Sequence, residues 1–213
     1  TLGLHKKRSF YDVIDADCCQ IVHEDFNVIV RETRAYFDEL GATYKDKRSH
    51  RGFLRHLLVR RAVNTGEILV DLVTTSQPLI PVMAHNLIND DVLYDEEALK
   101  RGELVPSSAV NVYDNGQVVE EWAKRLLRCK EEGRIQGCFR GILHTVNDSK
   151  ADAVKNEGTR ILYGEDSICE EILGLKFRIT PFSFFQTNSL GAEVLYSLAR
   201  SYVGETKDMT IFD

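Results

Sequence analysis

The chain has 213 residues and a net charge of −6, with 43% hydrophobic and 28% charged residues, the balance of a globular protein with one large or two small domains. An acidic total excludes a chain that is basic throughout, but not RNA contact through local patches. No run of about 18 apolar residues occurs, so no membrane span is expected, and five cysteines, an odd number, adjacent at Cys18-Cys19, otherwise widely spaced and without a Cys-x-x-Cys pair, suit a reducing cytoplasm better than a disulfide framework.

Residues 2–15 read as two short strands around the basic turn Lys6-Lys-Arg8, with Phe10-Tyr-Asp-Val-Ile14 β-prone. Phe26, Ile29, Val30, Thr33 and Phe37 recur at helical spacing and predict a helix over 23–37, with acids early and Gly41 past its end. Residues 53–63 and 67–75 are β-rich runs around Asn64-Thr-Gly66 and predict a hairpin. Residues 78–117 hold two prolines near their start and an acidic run; they read as a mobile or poorly packed connection with one short helix near 94–101.

Val118–Lys130 is an amphipathic helix stopped by Gly133. Strands are expected over 139–146, closed by Asn147-Asp148, and over 160–164, with two more in 168–180 around Leu173-Gly174. A helix over 187–203 ends at Gly204, and Thr210–Asp213 opens a strand. There are no internal repeats and no low-complexity segment. The expected fold is an α+β central domain with a mostly antiparallel sheet over 1–177. The first helix and strand start of a Rossmann-like α/β domain would follow over 178–213. The sequence begins and stops in apparent strands, which suggests cut ends, and self-association through unpaired edges is expected from them.

Arg55, His56, Arg60 and Arg61 form a basic stripe on the first hairpin. Strand alternation puts Arg55 and Arg61 on one face and His56 and Arg60 on the other, and Lys6, Lys7 and Arg8 could extend one of them. Such groups contact phosphate without reading sequence, or else form an ordinary solvated surface. Phe184 and Phe185 offer rings for base stacking, or fill a seam between domains. Cys129, Cys138 and Cys169 read as buried thiols, and His144 as a core or edge residue. No Ser/His/Asp constellation, histidine ligand spacing or phosphate loop is present.

Leu175-Lys-Phe-Arg-Ile-Thr-Pro-Phe-Ser-Phe-Phe-Gln-Thr-Asn188, followed by the helix to Val203 and by Ile211-Phe-Asp213, resembles the entry into the catalytic domain of the RNA (uracil-5-)-methyltransferases. Phe53–Arg61 with Asp71–Thr75, Gly141–Asn147 and Ile161–Gly164 are similar to that family's central sheet. The likeness covers nearly the whole chain except 78–117. It implies an S-adenosylmethionine-dependent enzyme that methylates carbon 5 of a uridine, in 23S ribosomal RNA with transfer RNA as the alternative. A cysteine would attack carbon 6, making carbon 5 nucleophilic and dividing the reaction into easier steps. The target base must leave its stack.

The resemblance also implies roles for individual residues. Gln186 would contact S-adenosylmethionine, its amide both donating and accepting. Cys19 matches the last of four cysteines that hold a [4Fe–4S] cluster in some members, and one thiolate cannot retain such a cluster. The nucleophilic cysteine, the proton-abstracting glutamate and the Gly-rich cofactor loop would lie beyond Asp213, so no catalytic residue is assigned and the chain by itself is expected to be inactive. The competing reading is a non-catalytic α+β RNA-binding or interaction module. A fragment of a Rossmann enzyme acting on something other than RNA leaves the aromatic-Gln segment unexplained.

Overall fold

The computed structural model describes residues 2–9, 12–79, 114–150, 158–204 and 210. The expected helix at 94–101 falls outside them, as does the strand expected after Thr210. Gly3–His5 (β1) and Val13–Asp15 (β2) form an antiparallel hairpin whose turn carries Lys6, Lys7 and Arg8. Arg34 ties it to the first helix, reaching Asp15 at 3.1 Å and Asp17 at 2.7 Å.

That helix, Glu24–Glu39 (α1), starts where His23 accepts from the Asp25 amide, and it carries Glu24 and Asp25 in its first turn, where the helix dipole favours negative charge. Its buried residues include Val28, Ile29, Thr33 and Phe37. The hairpin comes next, as Leu54–Arg61 (β3) and Glu67–Thr74 (β4), with Gly66 at φ +71° in its turn. A side chain at Gly66 would be strained in that left-handed conformation.

Asn115–Glu131 (α2) begins three residues before the expected start, because Asp114 caps it by accepting from the Gly116 amide at 2.8 Å. The segment 115–117, expected to be connection, is therefore its first turn. Cys138–Val146 (β5) and Thr159–Gly164 (β6) complete a four-stranded sheet of order β3-β4-β5-β6. The β3–β4 and β5–β6 pairs are antiparallel, as expected, but the central β4–β5 pair is parallel. The reason is topological: α2 lies between β4 and β5 in the chain, and a crossover of that kind returns the strand in the same direction. Being central, β4 is buried along almost its whole length, which suits the near-continuous apolar run Ile68–Val73.

One face of the sheet packs against α1 and α2. Trp122, Phe37, Phe53, Ile29, Leu126 and Ile142 are fully buried there. Each such side chain contributes roughly 1.5–3 kcal/mol through burial. The indole N–H of Trp122 donates to Thr33 Oγ1 at 3.0 Å, so the largest core residue leaves no donor unpaired. Arg125 bridges from α2 to Glu32 and Glu39 of α1, and Arg134 also reaches Glu32.

The opposite face carries a smaller cluster of Ala62, Leu69, Leu143, Ile168 and Ile179. The last two belong to the antiparallel pair Ile168–Ile172 (β7) and Leu175–Ile179 (β8). Gly141 lies where β5 meets the end of β6. A Cβ there would come within 1.8 Å of the Glu165 carbonyl oxygen, so only glycine allows the approach. The final helix, Ser189–Val203 (α3), starts two residues later than expected, because Asn188 takes the cap and accepts from the Gly191 amide at 2.8 Å. Leu190, Val194, Leu195, Leu198, Tyr202 and Val203 of α3 are exposed.

Candidate functional site

The loop between β8 and α3, residues 180–188, holds the aromatic-Gln segment. Its first half is a tight turn in which the Ser183 hydroxyl accepts from the Thr180 amide at 2.9 Å and donates to the Thr180 carbonyl at 3.1 Å. Phe185 turns inward, joins the smaller core cluster and meets Phe177 with ring centroids 5.7 Å apart. Phe184, one residue earlier, points the other way and is 86% exposed. Of the two rings, Phe184 is thus open to solvent while Phe185 packs against the smaller cluster. Gln186 is also exposed, and its side chain makes no hydrogen bond to the described residues. The helix cap falls to Asn188 instead, which leaves both functions of the Gln186 amide available.

The arginines of β3 do not form one open stripe. Arg55 donates from Nη1 to the Asn147 side chain at 2.7 Å and to the Ser149 carbonyl at 3.0 Å. Arg61 reaches across to α1 and meets the buried Asp25 at 2.9 Å. Arg60 points to the opposite face and holds the carbonyls of Pro181 and Ser183. Alternation separates Arg60 from Arg61 as expected, but all three reach other parts of the same chain. Lys6, Lys7 and Arg8 are exposed and sit on the separate β1–β2 hairpin.

Cys19 is half-buried and its backbone is gripped twice by Asn27, which accepts from the Cys19 amide at 3.0 Å and donates to its carbonyl at 3.1 Å. Cys18 is exposed. Among the described residues no group of three or more His, Cys, Asp or Glu side chains could hold a metal ion. These residues therefore do not fit an iron–sulfur cluster, which needs four thiolates. Of the thiols read as buried, Cys129 is so, Cys169 is half-buried and Cys138 is exposed at the start of β5. No helix among the described residues is long and apolar enough to cross a membrane.

Four buried polar groups stand out, of which only His144 was expected, as a core or edge residue. Asp25, 1% exposed, accepts from the Gln136 amide at 2.7 Å and the Gly137 amide at 3.0 Å as well as from Arg61. Burial pushes its pKa up, but those two amides and Arg61 outweigh it and hold the carboxyl below its ordinary value. Asp71 lies on the β7–β8 side of the sheet and accepts from the Thr145 hydroxyl at 2.9 Å, with no cation partner among the described residues. Burial raises it to about 6.

His144 faces the helices and shares a 2.8 Å hydrogen bond with Thr74, and burial, aided by the charge of Arg160, lowers it to about 4. The Thr74 hydroxyl donates to the Thr75 carbonyl, so the His144 Nε2 is assigned as the donor of that bond. Glu170, fully buried, accepts from the Val63 amide at 2.6 Å, the Asn64 amide at 3.0 Å and the Ser189 hydroxyl at 2.7 Å. Two of these were readable: Asp71 breaks an apolar run, and Glu170 alternates with Ile168 and Ile172, which places it on the buried side of its strand.

A protein of Clostridium tetani named as an uncharacterized RNA methyltransferase is 40% identical over 212 residues, covering 100% of this chain and 38% of that protein. A second, from Caldanaerobacter subterraneus, is also 40% identical over 212 residues with the same coverage. A third, from Clostridium acetobutylicum, is 38% identical over 213 residues. The similarity to proteins so named runs along the whole length of the chain. It spans 38% of the length of these relatives. No family profile matches it. The fold is similar to that of the Pyrococcus abyssi tRNA (uracil-54, C5)-methyltransferase, solved with S-adenosyl-L-homocysteine. The TM-score is 0.58 at 20% identity, over 96% of this chain and 38% of that one. The α+β architecture thus has a counterpart in a methyltransferase of known structure.

Proposed function

We propose that this chain is the central domain and the start of the catalytic domain of an S-adenosylmethionine-dependent RNA methyltransferase, with the division near residue 177. β8 runs through that position and leads into the loop that would begin the catalytic part. The reaction would place a methyl group on carbon 5 of a uridine in 23S ribosomal RNA, through a cysteine adduct at carbon 6. The observation that carries this reading is the 40% identity to RNA methyltransferases along all of the chain. The likeness to the solved enzyme supports it at the level of fold.

Within this reading Gln186 contacts the cofactor and Phe184 stacks on RNA, and both are exposed on one short loop. S-adenosylmethionine supplies the methyl group, and this chain's part is to bind and orient. None of the five cysteines is assigned as the nucleophile. Burial pushes the Cys129 thiol up, away from the reactive thiolate form. The chain by itself is inactive in this proposal. Arg55, Arg60 and Arg61 retain a role at the RNA-facing side, with the internal bonds described above limiting how many donors they can offer.

The test is mass spectrometry of 5-methyluridine in ribosomal and transfer RNA from cells with and without the gene. Loss of the modification at one site in 23S ribosomal RNA is the expected result. Loss from transfer RNA alone would move the substrate to the alternative, and unchanged 5-methyluridine in both would overturn the proposal. Labelled S-adenosylmethionine offered to the 213-residue chain alone should give no transfer above background.

A further inference from the structure

The 180–188 loop has no regular secondary structure, yet it is tied to the central sheet at both ends by charged side chains. At its start Arg60, on β3, donates from Nε to the Pro181 carbonyl at 3.3 Å and from Nη2 to the same oxygen at 2.9 Å. The same Nη2 reaches the Ser183 carbonyl at 2.8 Å. One guanidinium thus bridges two carbonyls that no strand or helix would satisfy. At its end the Glu170 carboxylate accepts from the Ser189 hydroxyl at 2.7 Å, and with its remaining capacity from the Val63 and Asn64 amides in the β3–β4 turn. Asn64 reinforces this end, donating to the Glu171 carbonyl and, at 3.3 Å, to Glu193 of α3. Between the two ties Phe185 is sunk into the smaller core cluster. Phe184 and Gln186 face outward between them, as do Phe182, Thr187 and Asn188.

We infer that Arg60 and Glu170 are positioning residues: together they brace the loop so that Phe184 and Gln186 are presented in a fixed arrangement. The brace couples the central sheet to the cofactor end of the protein. That second half rests on the proposed function. The brace itself rests only on the hydrogen bonds. It also gives Arg60 a different main task from phosphate contact. The planar guanidinium adds the Nε bond to the Pro181 carbonyl and holds its donors in a fixed fork, which an ammonium does not, so lysine is not an equivalent residue here.

The experiment compares Arg60→Met, Arg60→Lys and Ser189→Ala with the native sequence. Ser189→Ala removes one tie while leaving the buried Glu170 with its backbone donors, so it tests the brace even where Arg60→Met does not fold. Amide hydrogen exchange across 180–191 is measured in the 213-residue chain, with the β4 amides as internal reference. Loss of a tie should speed exchange in the loop by about tenfold with β4 unchanged, and Arg60→Lys should fall between Met and native. In the full-length enzyme, S-adenosylhomocysteine affinity should weaken by about tenfold while the salt dependence of RNA binding stays the same.

Unchanged exchange across the loop in Ser189→Ala and Arg60→Lys would overturn the brace. Retained S-adenosylhomocysteine affinity in Arg60→Met, with a salt slope smaller by about one phosphate contact, would overturn it in favour of direct RNA contact. Native full-length protein that binds no S-adenosylhomocysteine, in company with the exchange effect, would support the brace and refute the proposed function, so the two failures are distinguishable.

Discussion

Asp71→Asn should alter how stability depends on pH, by an amount that the structure sets. Asp71 is 1% exposed, its partner is the Thr145 hydroxyl, and burial raises its carboxyl from 3.8 to about 6. A carboxyl with a folded pKa above the unfolded one contributes its stability fully below the unfolded pKa and loses it as pH rises through the folded pKa. At about 1.4 kcal/mol for each pH unit, the displacement is worth about 3 kcal/mol. Asparagine has the same shape and cannot ionise. Relative to the native chain, Asp71→Asn should therefore gain about 3 kcal/mol between about pH 4 and pH 7, and nothing more above that.

His144 works in the opposite sense. Burial, and then the charge of Arg160, lower it from 6.5 to about 4. Its stability is present above the unfolded pKa and is lost as pH falls toward the folded one, again about 3 kcal/mol. In the native chain the two slopes nearly cancel, and each single substitution, Asp71→Asn or His144→Gln, uncovers the other. Urea unfolding followed by circular dichroism at intervals from about pH 4 to pH 8 measures this, and differences against the native chain remove all other titrating groups. A difference for Asp71→Asn that is flat with pH, or that falls as pH rises, would refute the assignment of a buried, protonated carboxyl.

Asp25→Ala, which strips the buried partner from Arg61 and two amides, should cost about 3–5 kcal/mol by chemical denaturation. Thr33→Val keeps the shape of the core but strands the Trp122 indole N–H, and a loss of about 1–3 kcal/mol is expected in the same assay. Under the proposed function, Phe184→Ala in the full-length protein should weaken single-stranded RNA binding by about 1–3 kcal/mol without shifting the unfolding midpoint, because the ring is exposed. Under the same proposal, Gln186→Ala should weaken S-adenosylhomocysteine binding by calorimetry and leave RNA binding intact. Equal affinity in the variant would remove Gln186 from the cofactor site.

Elements with strong local signals were legible. The β3–β4 hairpin was marked by Asn64-Thr-Gly66, α1 by its apolar spacing, and α3 by Gly204 at its end. The direction of the β4–β5 pair was not, because strand pairing is decided by where the connecting helix sends the chain and leaves no trace in alternation. Helix starts shifted for a simpler reason. Asp114 and Asn188 take the caps, and one polar residue with the right φ and ψ outweighs the apolar pattern next to it.

The candidate site divides in the same way. The opposite placements of Phe184 and Phe185 were open in the sequence, which allowed either ring to stack or to fill a seam. The Arg60 anchor joins residues more than 100 positions apart, and Glu170 is itself held by Val63 at a similar separation, so no local window contains both partners. The basic stripe looked like a surface because arginine usually is one. Here the Asn147 side chain, the loop carbonyls and Asp25 draw the three guanidiniums inward.

The parallel β4–β5 pair also bears on how the chain is made. Glu67 pairs with Cys138, so a ribosome adding about 5–20 residues each second releases β4 roughly 4–14 s before its partner exists. During that interval the most apolar strand of the sheet has β3 on one side and an open edge on the other. Synthesis speed across α2, and chaperones that cover a lone strand, thus become determinants of yield for this protein. Slowing translation between β4 and β5 should lower the soluble fraction more than slowing it anywhere after Val146.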